Sequence, residues 1–237
     1  MARLPRLSLP GVPQHVVQRG NNRHACFFSD QDYPLYLDWL QHYANTYQVK
    51  IHAYVLMTNH VHLLLTPLDT DAVSRMMQAL GRCYVRYVNT TYRRTGTLWE
   101  GRFRSTLVDS ERYFLVVSCY IELNPVRAAM VEHPAEYPWS SYRSNALGDS
   151  SDLLTPHSCY TGLGAAPELR QSHYRGLFDQ IIAERTLLHI QQATDKAWVL
   201  GDQRFIDQVE AQTGRRARPC SNGGDRRSER FWKNQRL

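Results

Sequence analysis

KIHAYVLMTNHVHLLLTP, residues 50–67, decides the fold. Residues 50–57 and 60–66 read as two strands that turn back at Thr58-Asn59, with Pro67 closing the second. Side chains two apart in a strand share a face. His60 and His62 therefore point one way, while Val61, Leu63 and Leu65 point the other way into a core. Two imidazoles side by side on a rigid strand can hold a divalent metal. The plainer alternative is a pair of partly buried histidines satisfied by hydrogen bonds.

Outward from this hairpin, Gln14 to Gln18 predicts a first strand between Pro13 and Gly20. The polar turn Arg19-Gly-Asn-Asn-Arg23 follows, either a phosphate contact or a simple connection. Ser29-Asp30 offers an N-cap to a helix whose stripe is Tyr33, Tyr36, Leu37, Leu40, Tyr43, Ala44 and Tyr47. That aromatic stripe carries the whole apolar side and so belongs to the core.

A second helix is expected from about Asp71 to Arg93. Its Arg75, Arg82, Arg86 and Arg93 fall within about 20° of one line, opposite the apolar stripe. The line is either a solvated face or a ridge that tracks phosphates. A fourth strand runs from Phe103 to Val108. Trp99 among Arg93, Arg94, Arg102 and Arg104 is either a base-stacking grip on a single nucleic-acid strand or a core tryptophan beside surface arginines.

Asp109-Ser110 caps a third helix, from Glu111 to about Leu123, that ends before Asn124-Pro125. The order strand, helix, strand, strand, helix, strand predicts an α+β fold. Its centre is a ferredoxin-like, split βαβ antiparallel sheet with helices on one face. The opposite face, which bears His60 and His62, is expected to be free for the third helix to dock on. A Gly/Ser/Asp linker near 147–152 divides a domain of residues 1–148 from a helical, basic C-terminal extension of residues 149–237. Helices are expected there from His173 to about Gln192 and from Gln203 to Gln212.

The bulk composition fits a soluble globular chain, with 43% hydrophobic and 21% charged residues. No run approaches the roughly 18 apolar residues of a membrane span. The N-terminus has no signal-peptide hydrophobic region, which predicts cytoplasmic residence and no membrane partner. Five cysteines without a Cys-x-x-Cys argue against a disulfide framework and against structural zinc. From Arg215 onward eight basic residues face two acidic ones, which equals the whole net charge of +6. The composition of the tail predicts flexibility, and its charge points to a polyanionic partner.

The third helix carries Tyr120 and Asn124, four apart and on one side if the helix reaches that far. Docked on the free sheet face, they would stand beside His60 and His62. A tyrosine is a weak nucleophile near neutral pH because its pKa is about 10. A metal nearby favours the phenolate and polarises a phosphoryl oxygen. Two imidazoles and an amide oxygen are neutral ligands that leave positions open, and Mg²⁺ or Mn²⁺ is the expected ion for phosphoryl chemistry. Glu122 lies about 200° around the helix and receives no role.

Met57-Thr-Asn-His-Val-His62, Gly96-Thr-Leu-Trp-Glu-Gly-Arg102, Tyr120-Ile-Glu-Leu-Asn-Pro125 and Trp139-Ser-Ser-Tyr142, in this order and spacing, resemble the REP-associated tyrosine transposases. These are relatives of the single-strand transposases of insertion sequences, in the HUH nuclease class. The resemblance covers roughly residues 5–145. It implies a metal-dependent single-stranded DNA endonuclease and strand transferase acting on hairpin-containing repeats. Tyr120 would form a 5′-phosphotyrosine link and free a 3′-hydroxyl, with His60, His62 and Asn124 as metal ligands. Arg19, Asn21, Arg23, Arg82, Arg86, Trp99, Arg102 and Arg104 are the expected DNA contacts, and the protein a monomer or homodimer. Thr58 stands where the family commonly has proline, and Leu123 where relatives can have a second tyrosine, which removes a rival nucleophile. The alternative function is a non-cleaving regulatory module that binds DNA or RNA hairpins.

Overall fold

In a computed structural model, which describes residues 6–179 and 182–218, the hairpin forms as the spacing predicts. Strands β1 (Gln14–Arg19), β2 (Val49–Met57), β3 (His60–Pro67) and β4 (Arg104–Leu107) make one sheet in the order β2-β3-β1-β4. Every neighbouring pair is antiparallel. Helix α1 (Asp32–Thr46) joins β1 to β2, and α2 (Ala72–Thr91) joins β3 to β4. This is the predicted split βαβ arrangement. Helix α1 begins at Asp32 rather than at the Ser29-Asp30 cap, because the buried Asp32 carboxylate accepts from the Phe28 and Ser29 backbone N–H groups.

One face of the sheet contributes Val16, Ile51, Tyr54, Leu56, Val61, Leu63 and Leu65 to a core closed by α1 and α2. On the other face the third helix docks as expected, and a second helix, not expected there, completes the cover. Ala53, Val55, Met57 and Leu64 pack there against Val117, Tyr120 and Ile121 of α3 (Ser110–Glu122) and Ile190 and Ala193 of α7 (Glu184–Lys196). The reason lies in the strands themselves: β2 and the latter half of β3 are apolar at both parities, the pattern of a sheet covered on both sides. A β-bulge between Ile51 and Ala53 shifts the β2–β3 register. The extra residue, His52, is re-aimed toward Phe114, with ring centroids 5.4 Å apart.

Helix α3 is capped by Asp109, whose carboxylate accepts from Glu111 N. It ends at Glu122. Leu123 stays in the right-handed helical region, and a further turn, α4 (Asn124–Arg127), opens with Pro125 in its first turn. The proline therefore starts a turn where a stop was expected, in keeping with its missing N–H.

Residues 139–141 cover the exposed edge of β2: Leu56 N donates to Trp139 O (2.9 Å) and Ser141 N to Tyr54 O (3.0 Å). In the C-terminal part, the single helix expected from His173 to Gln192 is instead α6 (Pro167–Gly176) and α7, with α5 (Ser158–Thr161) before them and α8 (Gln203–Thr213) after. Helix α7 packs on β1 and β4. No helix among the described residues is long and apolar enough to cross a membrane. The basic tail beyond Arg218 lies outside the described residues.

His52 is buried between Thr66 Oγ1 (2.9 Å) and the Thr155 carbonyl (2.6 Å). Burial lowers its pKa from 6.5 to about 4. Between those values the unfolded chain binds a proton that the native state refuses. Its stabilisation is full above pH 6.5 and is lost as pH falls toward 4, by about 3 kcal/mol. Denaturant unfolding at pH 7 and pH 4.5 should show a smaller acid loss in His52→Gln than in the wild type.

Candidate functional site

Antiparallel pairing of β1 and β3 sets Val17 opposite His62 and Arg19 opposite His60. Directly opposed residues share a face, so His15 joins the two histidines on the side covered by α3 and α7. His15 Nε2 lies 2.9 Å from His62 Nδ1, and the two rings stack with centroids 5.1 Å apart. His60 and His62 have centroids 4.9 Å apart. The Asn59 side chain donates through Nδ2 to Arg23 O (3.0 Å), so its Oδ1 is the acceptor for His60 Nδ1–H (2.6 Å). A neutral imidazole carries one proton, and His60 is left with a bare Nε2. Among the described residues no partner meets Nε2 of His60 or of His62.

All three rings are driven toward the neutral form. Burial lowers the pKa of His15 to about 3, and burial with the Arg19 charge lowers that of His60 to about 4. His62 is held well below its usual value by burial first, then by His15, His60, Arg19 and Arg127. Neutral imidazole is the form that binds metal.

Helix α3 brings Tyr120 against this group. Its ring centroid is 5.9 Å from those of both His15 and His62, and the Arg127 guanidinium lies 4.9 Å over its face. The residue is 5% exposed, and its hydroxyl has no hydrogen-bond partner among the described residues and is not one of the buried unpaired atoms. Asn124, one turn on, donates through Nδ2 to the carbonyls of Tyr120 (2.9 Å) and Ile121 (3.2 Å). Its Oδ1 is left without a partner among the described residues. The set His60, His62 and Asn124 thus offers two ring Nε2 atoms without a partner among the described residues, that of His60 bare, and one amide oxygen, which suits a hard divalent ion with open positions. His15 cannot join them, because both of its nitrogens are engaged. No group of three or more His, Cys, Asp or Glu able to hold a metal occurs among the described residues.

The expected nucleic-acid contacts separate into two places. Arg19, Asn21 and Arg23 lie at the His60 end of the sheet, where the loops after β1, β2 and Thr97 meet. There Gly20 N donates to Asn59 O, Asn21 N to Leu98 O and Glu100 N to Arg19 O, each at 2.8 Å. A Cβ on Gly20 would fall 2.2 Å from His24 O, so only glycine fits. Arg82, Arg86 and Arg102 line a groove of about 760 Å³ between α2 and Phe103, together with Arg6 and Arg75. Gln18 reaches this groove from β1, on the face opposite His15. The groove and the histidines are therefore on opposite sides of the sheet. Arg75 is paired with Asp69, whereas Arg82, Arg86 and Arg102 have no ion-pair partner among the described residues.

Two of the expected contacts have partners within the protein. Trp99 is only 6% exposed and stacks on Tyr84 with ring centroids 5.9 Å apart within the core, and it also lines the arginine groove. Arg104 is ion-paired with Asp195 of α7. Two other residues were missed. His15 looks like any strand residue until its partner across β3 is known. Glu122 is fully buried and accepts from Ser141 Oγ (2.5 Å), Asn145 Nδ2 (2.9 Å) and Tyr174 OH (2.9 Å). Burial raises its pKa to about 7, against those three hydrogen bonds. It faces away from the histidines, as its helical angle requires, and ties α3 to the chain beyond it.

The family model described as "Transposase IS200 like" matches residues 9–124, a span that holds β1 through Asn124. The fold is similar to that of a solved REP-associated tyrosine transposase bound to a REP hairpin (TM-score 0.54, 18% identity, covering 66% of this chain and 93% of that one). A candidate transposase from Deinococcus radiodurans R1 is similar at TM-score 0.36 and 21% identity, over 51% of this chain and 96% of that one. No curated protein matches the chain.

Tyr120 and Tyr137 provide a contrast in stability. Tyr137 OH donates to the buried Leu56 carbonyl at 2.6 Å, whereas Tyr120 OH supports nothing. Tyr137→Phe should lower the unfolding free energy by about 1.5 kcal/mol. Tyr120→Phe should stay within about 0.5 kcal/mol of the wild type in the same denaturant titration.

Proposed function

From a chain whose residues 9–124 belong to the IS200-like transposase family, we propose a transposase that cuts and rejoins single-stranded DNA carrying hairpins. The observation that carries this reading is a tyrosine hydroxyl with no partner of its own among the described residues, held beside neutral histidines whose Nε2 atoms meet no partner there. Tyr120 is the nucleophile. Its oxygen forms a bond to a backbone phosphorus while the bond to the 3′ oxygen breaks. The phenolic proton is given up, and the departing oxygen takes one up to become a free 3′-hydroxyl. The same steps in reverse rejoin the strand without an outside energy source, because the phosphotyrosine link conserves the bond.

His60, His62 and Asn124 would hold Mg²⁺ or Mn²⁺, which when bound supplies positive charge to the phosphate oxygens. Arg127 over the Tyr120 ring adds a fixed positive charge on the same side. The Asn124 side chain, bonded to the Tyr120 carbonyl, keeps the nucleophile and the amide oxygen in one rigid turn. Residues 1–148 supply all these groups.

Phosphates are gripped in two places. Arg19, Asn21 and Arg23 border the cutting site. Arg82, Arg86 and Arg102 line the groove on the far face, where hairpin DNA would be held. Arg104 is held by Asp195, and Trp99 lines the groove beside the three arginines.

Incubation with hairpin-bearing single-stranded DNA and Mg²⁺ or Mn²⁺ should give a protein–DNA adduct on a denaturing gel. The adduct should be absent in Tyr120→Phe and in chelator. Binding without an adduct, across several hairpins, would favour a non-cleaving hairpin-binding module instead. Replacing Arg82, Arg86 and Arg102 together by alanine should lower the log–log salt slope of binding by about 2 to 3. An unchanged slope would remove the groove from the contact surface.

A further inference from the structure

We infer that Thr194 of α7 and His15 of β1 are positioning residues that fix His62 as its Nδ1–H tautomer and so keep its Nε2 bare. The deduction starts at the hydroxyl. Thr194 Oγ1 lies 2.9 Å from the Ile190 carbonyl oxygen and 3.0 Å from His15 Nδ1. A carbonyl can only accept, so the single hydroxyl proton goes to Ile190, and Oγ1 is left as an acceptor. His15 Nδ1 must then carry the proton that points at it. With its one proton placed there, neutral His15 offers a lone pair at Nε2. Across 2.9 Å, His62 Nδ1 supplies the proton for that lone pair. His62 is thereby left with no proton on Nε2.

The surroundings favour this chain of neutral groups. His15, His62 and Thr194 are 1%, 5% and 5% exposed. No carboxylate hydrogen-bonds to either ring, and besides burial the groups that act on His62 are His15, His60, Arg19 and Arg127, all disfavouring a charge on it. His60 reaches the same tautomer by a different route, through Asn59. Both strand histidines are thus set with the same nitrogen free. Outer partners of this kind orient metal-binding histidines and fix their tautomer. Thr194 lies well beyond residue 124, so the C-terminal extension reaches into a site that the family span does not complete by itself.

Loss of the hydroxyl has a definite consequence. In Thr194→Val, His15 Nδ1–H would face an apolar methyl in the interior, an unmet donor that is costly. The relay reverses to avoid this. His15 moves its proton to Nε2 and donates to His62 Nδ1, and the His62 proton moves to Nε2, where it blocks a ligand.

The inference rests on the metal reading only for what Nε2 meets, and the two can fail separately. The experiment is long-range ¹H–¹⁵N correlation of the imidazoles in the metal-free, full-length protein at neutral pH, assigned with His15→Gln and His62→Gln. Wild type and Thr194→Ser should both show His15 and His62 as Nδ1–H. Thr194→Val should show His62 as Nε2–H, and should bind Mn²⁺ about tenfold more weakly by titration. A wild-type His62 protonated on Nε2 overturns the inference whatever the variants do, as does a Thr194→Val spectrum with unchanged tautomers. The expected tautomers with no Mn²⁺ binding in any form would uphold the relay and remove the metal from the proposed function.

Discussion

The structure depends on the two-residue period of β3. Val61, Leu63 and Leu65 enter one core, while His60, His62 and Leu64 enter the other. A strand apolar on both faces cannot stay half covered, since each fully buried leucine stabilises the fold by about 2 kcal/mol. Helices must lie on both sides. The helix that covers the Leu64 side is α3, and its cover brings Tyr120 down on the histidines. The chemical site is thus a polar inclusion in a packing interface, placed there by the same alternation that builds the cores.

Much of this was legible because it is local. The strand and helix order, the shared face of His60 and His62, and the fourfold spacing of Tyr120 and Asn124 all follow from periods of 2 and 3.6 residues. What escaped was the choice among distant partners. Ile190 and Ala193 repeat like any amphipathic helix, and nothing local says that they cover β1 and β4. Trp99 beside arginines has the composition of a stacking platform, but packing against Tyr84 took it into the core. His52 breaks the alternation of β2, a bulge that no spacing rule locates in advance. His15 and Glu122 are buried polar residues whose roles exist only through partners far along the chain.

The two arginine groups also follow from the sheet. Gln18 and His15 sit three residues apart on β1 and so reach opposite faces. One short strand thus backs both the groove beside α2 and the histidine site under α3. The loops around Gly20 meet at the end where the two faces join, within reach of either.

The bond between His15 and Thr194 links residues 179 positions apart. During synthesis the four strands are all present once Leu107 has been made, and Tyr120 follows soon after. Thr194 arrives roughly 90 residues later than the last strand, a delay of roughly 5 to 20 seconds at ordinary translation rates. Over that interval the chain has its tyrosine and histidines but not the hydroxyl that pairs with His15 in the finished fold.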